Sequence, residues 1–111
     1  MDISAGKDGD ILIVGLKGRL DANTSPALEE RLVSLIDSGE KRFLVDFTEL
    51  DYISSAGLRV LLMAAKRLKN LSGRIVLASL KDHIKEVFDI AGFSSVLTIY
   101  PSDKEAKASF S

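Results

Sequence analysis

The chain has 111 residues, of which 46% are hydrophobic and 28% charged, as is typical of one folded soluble domain and not of a disordered segment. Fifteen basic and sixteen acidic residues leave a net charge of −1, so no basic field supports direct binding of nucleic acid. Cysteine is absent, which excludes disulfides, thiolate catalysis and cysteine-ligated zinc and favours a cytoplasmic location.

The first predicted elements form a hairpin. An extended segment near residues 2–6 precedes a turn at Lys7–Asp10, in which the Asp8-Gly9 pair is a recognised hairpin signal. Ile11–Leu16 is a continuous apolar run rich in β-branched residues, as expected of a buried strand. The hairpin predicts an antiparallel edge strand at the start of a mixed sheet.

A helix is predicted next. Ser25 can act as its N-cap, Pro26 suits the first helical position, and Gly39 ends it. The apolar run at residues 43–47 is the next predicted strand, and a second helix is expected from near Ser55 to about Asn70.

The last third of the chain continues the alternation. Residues 75–78 form a predicted strand, the following helix stops before Gly92, and residues 96–100 form a last strand. Ser102–Glu105 is a capping box that opens a short terminal helix. The pattern predicts an α/β fold with a mixed, mainly parallel sheet of four to five strands and about four helices. It does not give the order of the strands.

Membrane insertion is not expected. The first residues, Met1–Lys7, lack the charged-then-apolar layout of a signal peptide. The longest apolar run, Val60–Ala65, is far too short to cross a bilayer.

Small side chains are concentrated where the third predicted strand meets the second helix, at Ser54, Ser55, Ala56 and Gly57. The ordinary interpretation is that one serine is an N-cap. However, one cap suffices, and glycine in a first turn costs about 1 kcal/mol relative to alanine. Small residues also leave the backbone open to another molecule, and a helix N-terminus accepts an anion such as phosphate.

The helix that follows these serines is apolar almost all round. From Leu58 to Ala65 its only charged residue is Arg59. Such a helix is either buried on most sides or keeps part of its surface for a partner, and burial is the simpler interpretation.

Three segments resemble one known family, the STAS-domain anti-sigma factor antagonists. They are Tyr52-Ile53-Ser54-Ser55-Ala56-Gly57-Leu58, Gly18-Arg19-Leu20-Asp21 and Phe88-Asp89-Ile90-Ala91-Gly92-Phe93. Length and element order also agree, so the resemblance implies a single STAS domain over residues 1–111.

The resemblance further implies a phosphorylation switch at Ser55, in a protein that is not an enzyme and needs no cofactor. The unphosphorylated form would bind an anti-sigma factor that is itself a serine kinase of the GHKL ATPase type, freeing a sigma factor. A phosphatase of the PP2C type would reset the switch. By resemblance, the partner-binding residues are Asp21, Ser54, Ser55, Ala56, Gly57 and Leu58.

Two positions depart from the family pattern. Ser54 stands where many members have aspartate, and Ala56 where many have serine or threonine, which leaves Ser54 as an alternative target. Asp21 has its own alternative interpretation as a turn residue. Stand-alone domains of this kind also serve as accessory subunits of lipid-transport ATPases or signalling assemblies, and a monomer or weak homodimer is expected.

Catalytic and metal sites find little support. The only histidine, His83, is expected to face solvent in the first turn of a helix, and Ser55 lacks the first glycine of a Gly-x-Ser-x-Gly elbow. Asp2, Asp8, Asp10 and Asp46 have no loop-ligand spacing, so no metal is expected.

Overall fold

Strands and helices alternate along the chain in the predicted order. The computed structural model describes residues 1–111. The strands are β1 (Asp2–Asp8), β2 (Ile11–Leu20), β3 (Arg42–Ile53), β4 (Arg74–Ala78) and β5 (Thr98–Tyr100). The helices are α1 (Ser25–Asp37), α2 (Ser55–Asn70), α3 (Asp82–Ile90) and α4 (Asp103–Ala108), with a 3₁₀ turn at Phe93–Ser95. No helix is both long and apolar enough to span a bilayer.

The five strands form one mixed sheet in the order β1-β2-β3-β4-β5. β1 runs antiparallel to β2, and the other neighbours are parallel, which confirms the predicted hairpin and the mainly parallel sheet. Right-handed crossovers between sequential parallel strands place α1, α2 and α3 on the same face. The carboxyl ends of β2, β3 and β4 therefore share one edge of the sheet.

Alternate residues of β3 point to opposite faces of the sheet, and each face carries a cluster of buried residues. Phe43, Val45 and Phe47 are fully buried in the main core, with the Phe47 ring against that of Phe88 at 6.0 Å between centroids. Leu44 belongs to a smaller cluster beneath α4 on the other face.

β3 is longer than its neighbour β4, and this leaves its last residues paired on one side only. The β3–β4 ladder ends at Asp46 and Ala78. The β2–β3 ladder, which contains two register shifts, continues to Leu20 and Ile53. Residues 47–53 thus lie beside β2 but have no strand on the β4 side.

Helix boundaries confirm most of the local signals. Gly39 adopts a left-handed conformation, with φ 104°, directly after α1. The capping box at α4 is also confirmed, because the Ser102 side chain accepts a hydrogen bond from the Glu105 N–H at 3.2 Å.

Several predicted boundaries were wrong. β2 continues to Leu20 beyond the predicted Ile11–Leu16, and β3 continues to Ile53 beyond the predicted residues 43–47. The N-cap of α1 is Thr24, while Ser25 is buried and its hydroxyl donates to the Asp21 carbonyl at 2.5 Å. The last strand begins at Thr98 and not at residue 96, because the N–H groups of Val96 and Leu97 donate to the Phe93 carbonyl of the 3₁₀ turn.

Candidate functional site

The shared carboxyl edge of the parallel strands brings two of the predicted motifs together. Asp21 follows β2, and Ser54 follows β3. The Ser54 N–H donates to the Leu20 carbonyl at 2.8 Å, so the two loops are joined directly through their backbones. In open α/β sheets, ligands bind in the crevice outside the carboxyl ends of the strands.

The two serines have different environments. Ser54 is the N-cap of α2, with extended backbone and a half-buried side chain whose Oγ accepts from the Gly57 N–H at 3.5 Å, a long bond. Ser55 is the first residue of α2 and is exposed. The capping role therefore belongs to Ser54, and the Ser55 hydroxyl faces solvent at the positive end of the helix dipole.

Gly57 and Leu58 do not present a surface to another molecule, because both are buried. A Cβ at Gly57 would lie 2.7 Å from Leu20 Cγ and 3.0 Å from Ile53 Cγ1. The expectation that this glycine keeps the backbone open to a partner was wrong. Its small size lets α2 pack closely on the ends of β2 and β3, and the accessible part of the site consists of Ser54, Ser55 and Ala56.

Asp21 is half-buried and organises the loop before α1. Its Oδ1 accepts from the N–H groups of Asn23, at 2.9 Å, and Thr24, at 3.1 Å. The Thr24 backbone N–H is the main cause that lowers the pKa of the Asp21 carboxyl, helped by Asn23 and by the Thr24 hydroxyl. The interpretation of Asp21 as a turn residue is confirmed.

A stacked pair beside the serines was not predicted from the sequence. Arg19 and Tyr52 are register partners on β2 and β3, and the Arg19 guanidinium lies 4.2 Å from the centre of the Tyr52 ring. Tyr52 remains 39% exposed. Arginine and tyrosine are enriched among the residues that contribute most to protein interfaces.

A second contact missed from the sequence joins β3 to the start of α3. Lys81 Nζ lies 2.5 Å from Asp51 Oδ1, and His83 Nε2 lies 2.7 Å from the Asp51 carbonyl oxygen. The Lys81 hydrogen bond and charge lower the pKa of Asp51, with His83 and Arg19 contributing. His83 is exposed, as expected, but its ring is engaged by the backbone of β3 and not by a serine.

The apolar character of α2 is explained mainly by burial, as the simpler interpretation held. Its buried residues include Leu58, Val60, Leu61, Ala64 and Leu68. A shallow groove of about 330 Å³ runs beside Ala56 between α1 and α2, with Glu29 and Arg59 among its lining residues. The chain contains no group of three or more His, Cys, Asp or Glu side chains arranged to hold a metal ion.

Comparison with known proteins identifies the family to which this domain belongs. The model of the STAS domain matches residues 2–106, nearly the whole chain. The protein therefore belongs to the STAS domain family. Among its relatives, a protein of Bordetella bronchiseptica described as "Putative anti-sigma factor antagonist BtrV" is 42% identical over 110 residues, which cover 99% of this chain and 95% of that protein. An anti-sigma-B factor antagonist of Listeria monocytogenes is 33% identical over 94 residues, covering 84% of this chain and 82% of the relative.

Solved structures share the fold at low identity. A "putative anti-sigma factor antagonist" from Thermotoga maritima has a TM-score of 0.92 and 16% identity, covering 96% of this chain and 92% of that one. The Bacillus cell fate determinant SpoIIAA in its phosphorylated form has a TM-score of 0.76 and 18% identity, covering 99% of this chain and 100% of that one. These two likenesses establish the single STAS-like α/β architecture.

Proposed function

We propose that this protein is an anti-sigma factor antagonist whose binding is switched off by phosphorylation of Ser55. The unphosphorylated form binds an anti-sigma factor of the serine-kinase, GHKL ATPase type and so frees a sigma factor. A PP2C-type phosphatase restores the binding form. The protein acts in the cytoplasm, as a monomer or weak homodimer, and works as a substrate and a binder and not as an enzyme. Family membership and the names of the relatives support this proposal.

The observation that carries the proposal is the division of roles between the two serines. Ser54 accepts the capping hydrogen bond and is half-buried, whereas Ser55 is exposed one residue later. A kinase can therefore reach Ser55 without first breaking the cap of α2. This contrast favours Ser55 over Ser54 as the target.

Electrostatics supports local control of binding. A phosphate on Ser55 would add about −1.5 to −2 charges and three acceptor oxygens. At the first residue of a 16-residue helix, the dipole favours that charge, so the fold tolerates it. A partner surface that packs against the small neutral side chains of Ser55 and Ala56 would meet charge and bulk instead. Asp21, held in the adjacent loop, belongs to the same proposed partner surface.

The test is incubation with the cognate kinase and ATP, followed by mass-spectrometric mapping of phosphate. We expect modification of wild type and of Ser54→Ala, and none of Ser55→Ala. Ser55→Asp should lose binding to the anti-sigma factor, while Ser55→Ala should retain it. Phosphate elsewhere, together with unchanged binding by Ser55→Asp, would refute the switch and point to an accessory docking role.

A further inference from the structure

The end of β3 is held by side chains of α3 where a neighbouring strand is missing. Beyond Asp46, β3 has no partner on the β4 side. Asp51 lies in this unpaired stretch, and its carbonyl oxygen forms a hydrogen bond with His83 Nε2 at 2.7 Å. The Asp51 carboxylate accepts a hydrogen bond from Lys81 Nζ. Two side chains at the start of α3 thus replace the backbone contacts that a longer β4 would have provided.

Hydrogen-bond chemistry shows which ring nitrogen of His83 carries a hydrogen. A carbonyl oxygen only accepts, so the Nε2 atom of His83 must carry the hydrogen. The Lys81–Asp51 pair is exposed, with 39% and 66% of the two side chains accessible, and such pairs contribute little alone. The hydrogen bond from His83 reaches the backbone of β3 itself and restrains it directly, whereas Lys81 acts through the Asp51 side chain and supports that restraint.

This restraint acts a short distance before the serines. Asp51 lies four residues before Ser55, and between them Ile53 is buried, with 4% exposure. The Ser54 N–H is fixed to the Leu20 carbonyl on the β2 side. His83 supplies the opposing restraint, so the segment that leads into α2 is held from both sides. Losing the His83 bond would free backbone near Tyr52 without opening the core.

We propose that His83, supported by Lys81, is a positioning residue for the phosphorylation of Ser55, an inference that rests on the proposed function. In that reaction a bond forms between Ser55 Oγ and the γ-phosphorus of ATP while the bond from that phosphorus to the β–γ bridging oxygen breaks. ADP leaves, and the hydroxyl proton passes to a base of the kinase. Displacement of a reacting group by about 1 Å can cost up to about 100-fold in rate. His83 keeps Ser55 in one place for this in-line transfer.

The first experiment needs only the isolated protein. Amide hydrogen exchange of residues 52–57 is compared among wild type, His83→Leu and His83→Gln. Leucine fills a similar volume without a donor, whereas the glutamine amide can donate to the Asp51 carbonyl. We expect exchange to accelerate about fivefold in His83→Leu, the equivalent of one ordinary hydrogen bond, and to return toward wild type in His83→Gln. Lys85→Met, on the same helix, is the surface control and should leave these amides unchanged.

The second experiment measures phosphotransfer to the same variants. The kcat/KM of the kinase for His83→Leu should fall about tenfold and recover in His83→Gln, with Lys85→Met at the wild-type value. If exchange at residues 52–57 is unchanged in His83→Leu, or glutamine rescues neither readout, the positioning role is overturned while the proposed function stands. If wild type takes no phosphate on Ser55, the proposed function fails, and the exchange data still decide whether His83 restrains the segment.

Discussion

Replacing Gly57 by alanine tests whether this glycine serves packing. The added Cβ would lie 2.7 Å from Leu20 Cγ, 2.8 Å from Leu20 Cδ2 and 3.0 Å from Ile53 Cγ1, whereas ordinary contacts are 3.4–4 Å. Leu20 is fully buried and Ile53 is 4% exposed, so neither side chain has free space to move into. The substitution must therefore shift α2 or force strained rotamers.

The expected magnitude comes from two opposing effects. Overpacking of a well-filled core costs about 1–3 kcal/mol, and three contacts this short belong at the upper end of that range. Alanine improves helix propensity relative to glycine by about 1 kcal/mol. The clash prevails, and Gly57→Ala should lower the free energy of unfolding by about 1–2 kcal/mol.

The assay is urea denaturation, which should show a lower midpoint at an unchanged slope. Gly6→Ala is the matched control, because an added Cβ there meets nothing within 4 Å. Its free energy of unfolding should stay within about 0.5 kcal/mol of the wild-type value. A Gly57→Ala protein as stable as wild type, or more stable, would refute the packing argument and restore the interpretation that Gly57 keeps the helix start open.

Three further predictions concern the same edge of the sheet. Ser54→Ala should lower the free energy of unfolding by about 0.5–1 kcal/mol, because it removes a cap whose hydrogen bond is long. Ser55→Ala should change the free energy of unfolding by less than about 0.5 kcal/mol. Urea melts that rank the two variants the other way would contradict the roles assigned to the serines. Because hydrogen bonds, chiefly from the Thr24 N–H, hold the pKa of Asp21 below its ordinary value, the stabilisation is complete above the unfolded-state pKa of about 3.9 and is lost as pH falls through the lower folded-state pKa. Wild type and Asp21→Asn should accordingly differ in stability at neutral pH and converge in strong acid, and a difference independent of pH would count against this account. Phosphorylation of Ser55 should move backbone NMR shifts only near the modified turn, and widespread shifts in distant strands would rule out local control by charge and bulk.

Local signals were sufficient for elements whose cause lies within a few residues. The capping box at Ser102 and the left-handed glycine at position 39 depend on contacts inside one turn of chain, and both were predicted. The start of α2 was predicted for the same reason. The cap of α1 was misassigned by one residue because threonine and serine are both favoured at the N-cap, although the Thr24 side chain makes no capping hydrogen bond. Ser25 does not act as the cap because its hydroxyl donates to the Asp21 carbonyl.

The preference for Ser55 over Ser54 stays a prediction. The position of the candidate site at the β3–α2 junction followed from residue type and family resemblance. The burial of Gly57 against Leu20 did not, because the two residues are 37 positions apart and meet only when β2 and β3 pair. The stacking of Arg19 on Tyr52 depends on the same pairing.

The sequence by itself determined the alternation of strands and helices, the hairpin, and the serine-rich helix start, because apolar periodicity and capping act over short stretches of chain. Only the tertiary structure decided the strand order, the inward role of Gly57, and the contact of His83 with Asp51 across 32 residues. These features depend on which segments become neighbours in space, and that is settled by collective packing of the core.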